Sequence, residues 1–140
     1  MLLFDHGMPR ADGTINPEQR AEADINVEFQ RTSAFAEQSQ ALAWLFHSAN
    51  EIYATDYPVT VGNHMASTDS EMFMGRVPSI SVRDNERGVQ IGSGWNSHWH
   101  QATDVYATYG DKDFRLGLNA AQTTLGAVGR LVGATVLKPR

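Results

Sequence analysis

The chain has 140 residues, 41% of them hydrophobic, enough for one domain that buries about two thirds of the surface its unfolded form exposes. A net charge of -5, from 16 acidic and 11 basic residues without a Lys/Arg run, excludes an electrostatic footprint for nucleic acid or an anionic membrane. With no cysteine there is neither a disulfide framework nor a thiolate metal site, so any metal must be held by His, Asp or Glu.

The opening "MLLFDHGMPR" is a short apolar run stopped by Gly7 and Pro9, which predicts a buried strand with Asp5 near its end. It is too short to span a membrane or to serve as a signal-peptide core, and the chain reads as soluble. Residues 10–24 mix Gly, Pro and charge and read as an exposed loop. "INVEF" alternates Ile25, Val27 and Phe29 with Asn26 and Glu28, the period of a half-buried strand.

A long helix follows. Ser33 is its expected N-cap, Glu37 sits in the first turn, and Phe35, Leu42, Leu45, Phe46, Ala49, Ile52 and Tyr53 recur at helical spacing on a stripe expected to face the core. Val59–Val61 reads as a short strand or a loop, and "VPSISV" as a strand from Val77 to Val82. Between them "STDSEMF" suggests a turn or N-cap at Thr68 and Asp69, with Met72 and Phe73 turned inward.

Residues 85–99 carry three glycines and read as a long loop. It ends in "GWNSHWHQATDVYAT", which sets His98 and His100 two residues apart and Asp104 four beyond. Oxygen and imidazole metal sites need such side chains, with carboxylates behind them to hold the rings in register. A lone His-x-His is also an ordinary loop feature, and Asp104 also fits the cap of a turn. His64 reads as a polar loop residue or a substrate contact, and His47 as a surface residue of the first helix.

The last element is a helix in which Phe114, Leu118, Ala121, Leu125, Val128 and Val132 fall at steps of four and three. Asp111 or Asp113 is its expected cap and Gly133 its stop. Gly117, Gly126 and Gly129 each weaken it by about 1 kcal/mol relative to Ala, which points to close packing against the sheet. Neither a phosphate-binding glycine loop nor a Gly-x-Ser-x-Gly elbow is present.

In order, "LLFDHGM", "TDSEMFMGRVPSISV" and "HQATDVYATY" resemble the C-terminal half of the zinc-dependent aminopeptidase family, which includes bacterial leucyl aminopeptidases, glutamate carboxypeptidase and glutaminyl cyclase relatives. The resemblance implies an α/β fold, a partial mixed sheet with flanking helices, forming the C-terminal portion of a zinc peptidase domain over residues 1–140. It makes Asp5 and His100 ligands of the two zinc ions, Asp69, Phe73 and Asp104 supports of the site, and His64 and His98 candidates for the substrate side. Ser70 stands where the family often has His, Gln101 and Ala102 replace Thr and Pro, and Met65 falls where some members place a substrate-polarising Tyr.

The implied activity is metal-assisted peptide hydrolysis, with a zinc pair activating water and a Glu as base. This chain would carry two of the family's five ligands, so that the others and the base are expected in an N-terminal half and the chain alone is expected to be inactive. The expected partners are a peptide substrate and either that missing half or a second copy joined through an open sheet edge. The other reading is a non-catalytic binding or interaction domain that kept the fold.

Overall fold

The computed structural model describes residues 25–66, 68–83, 98 and 100–134. The predicted first strand with Asp5, the loop over residues 10–24 and nearly all of the glycine-rich loop lie outside them.

The elements are β1 (Ile25–Glu28), α1 (Ala36–Tyr53), β2 (Val59–Gly62), the 3-10 turn η1 (Asp69–Phe73), β3 (Ser81–Arg83), the 3-10 turn η2 (Tyr106–Thr108) and α2 (Asp111–Leu131). The fold is mixed α/β: a three-stranded open sheet, ordered β2-β1-β3, and two helices. β1 and β2 are parallel, in a register that sets Ile25 against Val59 and Val27 against Val61. A parallel pair cannot be closed by a hairpin, and α1 supplies the crossover. β3 lies antiparallel on the other side of β1, with Val82 opposite Val27.

Alternation along β1 sends Ile25, Val27 and Phe29 to one face. There they form the core with Ala43, Phe46 and Ala49 of α1 and Leu116, Ala120 and Ala127 of α2. The opposite face is polar at each paired position: Asn26 lies beside Thr60 and Arg83, and Glu28 beside Gly62 and Ser81. The half-buried strand read from the alternation is instead buried on both faces, with Asn26 and Glu28 as enclosed as Ile25 and Val27. Asn26 Nδ2 donates to Thr60 Oγ1 at 3.0 Å, while its Oδ1 is buried without a hydrogen-bond partner.

α1 begins at Ala36, two residues later than a cap at Ser33 predicts. Phe35 occupies the cap position without a side-chain hydrogen bond, and Ser33 instead closes the preceding turn by accepting the Phe35 N–H at 3.1 Å. Phe46 and Ala49 are buried and Leu42 and Leu45 pack against the core, but Ile52 and Tyr53 are exposed. The helix stops because Asn50 folds back: its Nδ2 lies 2.6 Å from Ala54 O, 2.9 Å from Tyr57 O and 3.0 Å from Thr123 Oγ1.

The strand expected over Val77–Val82 shortens to β3. Pro78 has no N–H, and Ser79 N donates to the buried Ser39 Oγ of α1 at 2.9 Å, so this stretch is bonded to a helix and joins the ladder only at Ser81.

α2 forms where expected. Asp113 Oδ2 accepts the Gly110 N–H at 2.7 Å, closing the first turn, and Gly133 at φ 68° ends the helix with Ala134 N bonded to Gly129 O. The buried face is Asp113, Leu116, Asn119, Ala120, Thr123 and Ala127, whereas Leu118, Leu125, Val128 and Val132 are exposed. The polar members of the buried face are satisfied locally: Asn119 Oδ1 accepts Asp56 N, Asn119 Nδ2 donates to Tyr57 O, and Thr123 Oγ1 donates to Asn119 O. Of the three helix glycines, Gly126 packs closely, and its contact is the Tyr53 ring of α1 rather than the sheet.

No described helix is long and apolar enough to cross a membrane.

Candidate functional site

The structure places the proposed site residues on three local systems. His64 lies just past β2, paired with Gln30 in an isolated bridge beyond the end of β1. Gln30 Nε2 donates to Met65 O at 2.8 Å and Met65 N donates to Phe29 O, so the parallel pair is closed at its carboxyl end. In open α/β sheets this is the end where ligands collect. His64 is exposed there. Met65, at the position read as the family's Tyr, is fully buried and packs inward.

Asp69 and Phe73 bound η1. No side chain caps this turn: Glu71 N bonds Thr68 O, and the Thr68 hydroxyl is buried without a partner, which corrects the expected cap at Thr68 and Asp69. Met72 and Phe73 do not turn inward. They are 80% and 54% exposed, because the backbone rather than the ring is the anchor: Arg76 and Val77 donate to Phe73 O, and Ser33 Oγ donates to Met74 O at 2.6 Å. Asp69 is likewise exposed. A tight turn fastened by its carbonyls presents its side chains outward.

His98, His100 and Asp104 belong to one hydrogen-bonded turn system that runs into α2. Gln101 N bonds His98 O, Asp104 N bonds Gln101 O and Thr108 N bonds Val105 O. His98 Nδ1 lies 2.9 Å from Thr103 Oγ1, and its ring meets the Tyr109 ring edge-on at 6.3 Å between centroids. The Tyr109 hydroxyl donates to Asp104 Oδ1, and Thr108 Oγ1 donates to Thr103 O. At the apex His100 is exposed and adopts φ 59°, the one non-glycine left-handed residue among those described. Such a conformation costs about 1–3 kcal/mol and persists only where the surrounding bonds over-determine it. Here those bonds are the turn ladder and the two clamps, His98–Thr103 and Asp104–Tyr109.

Thr103 and Tyr109 were not legible as site residues from sequence, since a hydroxyl partner five residues from its carboxylate or imidazole leaves no periodic signal. The polar sheet face formed by Asn26, Glu28, Thr60 and Arg83 was missed for another reason: alternation alone marks the polar side as solvent.

Among the described residues no group of three His, Cys, Asp or Glu could hold a metal ion. His100 is the one proposed ligand that is described, and Asp5 lies outside. The chain was compared with protein-family models, curated proteins and solved structures, and nothing matches it.

Proposed function

We propose that this chain is the C-terminal portion of a zinc aminopeptidase-type metallopeptidase, contributing Asp5 and His100 to a dinuclear centre whose other ligands and catalytic Glu come from a separate segment of polypeptide. The observation that supports it best is the left-handed, exposed His100, held at the apex of a clamped turn in the stretch that resembles the family's His-Thr-Pro-x-Asp-Thr segment. A ligating imidazole gains from a backbone held in place, and here Asp104 braces the turn that carries His100 by accepting the Tyr109 hydroxyl. When bound, a zinc pair activates water and polarises the scissile carbonyl. What the chain itself does is present one imidazole and one carboxylate. It hydrolyses nothing alone, because two protein ligands fall short of the three that a catalytic zinc requires.

Zinc titration of the purified chain, followed by calorimetry, tests this. Weak binding that is lost in both His100→Ala and Asp5→Ala supports the reading, and zinc binding indifferent to both substitutions overturns it. The second reading, a non-catalytic binding domain with the same fold, is favoured by the outward Met72 and Phe73, which offer apolar contact surface where the first expects a site wall.

A further inference from the structure

The apolar stripe of α2 marked by the four-and-three spacing lies on the outside of the molecule. Leu118, Leu125, Val128 and Val132 are exposed on the side opposite Leu116, Thr123 and Ala127, and Leu125 is 73% exposed. Residues 116–129 contain no charged side chain, although the helix carries charges at both ends. A helix with an apolar stripe on its outer face is built to be covered there as well as on its inner one.

The stripe has the four-three spacing of a helix-pairing seam: Phe114, Leu118, Ala121, Leu125, Val128, Val132. Beside it runs a shallow groove of about 400 Å³ bordered by Gly117, Ala121, Thr124, Leu125 and Val128. The geometry points to a second copy of this chain as the occupant, docked as an antiparallel pair of α2 helices about a two-fold axis that crosses the outer seam midway between Ala121 and Leu125. Antiparallel register sets Leu125 of each copy against Ala121 of the other, so that the most exposed leucine fills the hollow beside the small residues, and it sets Leu118 against Val128 and Phe114 against Val132. A parallel pair would put Ala121 against Ala121 and leave a void.

The charged residues between Phe114 and Val132 are Arg115 and Arg130, both toward the ends of the seam, so that antiparallel pairing keeps its centre, residues 116–129, free of charge. The two helix dipoles then oppose one another. The exposed parts of Leu118, Leu125, Val128, Leu131 and Val132 supply roughly 500 Å² per copy before Phe114, Ala121, Gln122 and Thr124 are added, toward the ~800 Å² per partner of a standard interface. Isologous pairing of one patch with itself is also the commonest route to a homodimer.

Sedimentation equilibrium of the full chain at about 100 µM, a concentration that populates a micromolar complex, tests the inference. The expected mass is that of a dimer. Leu125→Glu, at a position with little to lose from the monomer's own packing, is expected to weaken dimerisation at least about thirtyfold, as loss of a central anchor does, with unchanged far-ultraviolet circular dichroism. Because the chain has no cysteine, Gln122→Cys and Leu118→Cys report orientation by oxidative cross-linking. Antiparallel helices cross-link through Gln122→Cys near the axis and not through Leu118→Cys. A monomeric wild type, a dimer that survives Leu125→Glu because it forms through a sheet edge, or cross-linking through Leu118→Cys alone each overturns the proposal.

Discussion

Arg83 Nη1 lies 3.1 Å from Oε2 of Glu28, a carboxylate with no solvent exposure at the centre of the sheet's polar face. The two residues are not cross-strand partners, since Arg83 pairs with Asn26, so the guanidinium reaches along the sheet to the next position of β1. The ion pair therefore fastens the three-residue strand β3 to β1 beyond what its few ladder bonds provide. Arg83→Met leaves the carboxylate enclosed without this partner and is expected to cost about 3 kcal/mol or more. Glu28→Gln combined with Arg83→Met should cost less than the sum of the single changes. Urea denaturation of the four proteins in a double-mutant cycle measures the difference.

Gly126 of α2 packs directly against the Tyr53 ring at the end of α1. A Cβ built there would stand 2.5 Å from Cδ2 and 3.2 Å from Cγ of Tyr53, a clash with the root of the ring as well as its edge. Gly126→Ala should therefore destabilise by about 1–3 kcal/mol, overriding the helix propensity that alanine gains. Adding Tyr53→Ala should remove most of that penalty, because the half-exposed ring is the obstacle. Thermal unfolding of the single and double variants distinguishes this clash from a backbone requirement for glycine.

Asn50 joins three elements through one amide: the end of α1, the segment entering β2, and Thr123 of α2. Replacing it by Leu, close in size, leaves the Ala54 and Tyr57 carbonyls and the Thr123 hydroxyl without this donor. The expected loss is about 2–4 kcal/mol, at the high end for a single polar residue because several groups lose a partner together. Chemical denaturation gives the value, and amide hydrogen exchange should show faster opening at the C-terminal turn of α1.

His100 separates stability from ligation. At φ 59° glycine carries no steric penalty, so His100→Gly should hold or raise stability, by up to about 1 kcal/mol, while removing the imidazole. The proposed function then requires zinc affinity to fall in a protein whose melting temperature does not. His100→Val, with a β-branched side chain in the same conformation, should lower both. Paired calorimetric titrations and melting curves check the two quantities on the same samples.

Much of the element pattern was readable in advance. β1, the body of α1 and α2 appear where periodicity puts them, β2 forms on the stretch that reads as a short strand or a loop, and the glycine stop of α2 is found at Gly133, because these features depend on neighbours within a turn or two. Met72 and Phe73 show the limit of the method. Their direction depends on which backbone groups of a short turn are fastened to the turn before α1, and the Ser33 to Met74 bond spans 41 positions of sequence. The clamps around His100 are local but aperiodic, so the histidines could be picked out while the hydroxyls that hold their turn could not.

Amino-acid order by itself determined the type of each long element, the absence of thiol chemistry, and the presence of one clean apolar stripe on α2. Which side of α2 meets α1 was decided only in three dimensions. Asn119, Thr123 and Asp113 become good interior residues once Tyr57, Asn50 and Gly110 complete their hydrogen bonds, and small Ala120 and Ala127 let the helices approach. The same holds for β1, where Glu28 reads as a solvent-facing residue until Arg83 is brought beside it. Hydrophobic spacing is encoded along the chain, whereas the partner that makes a polar group buriable comes from elsewhere in the fold and is known only once the chain has closed on itself.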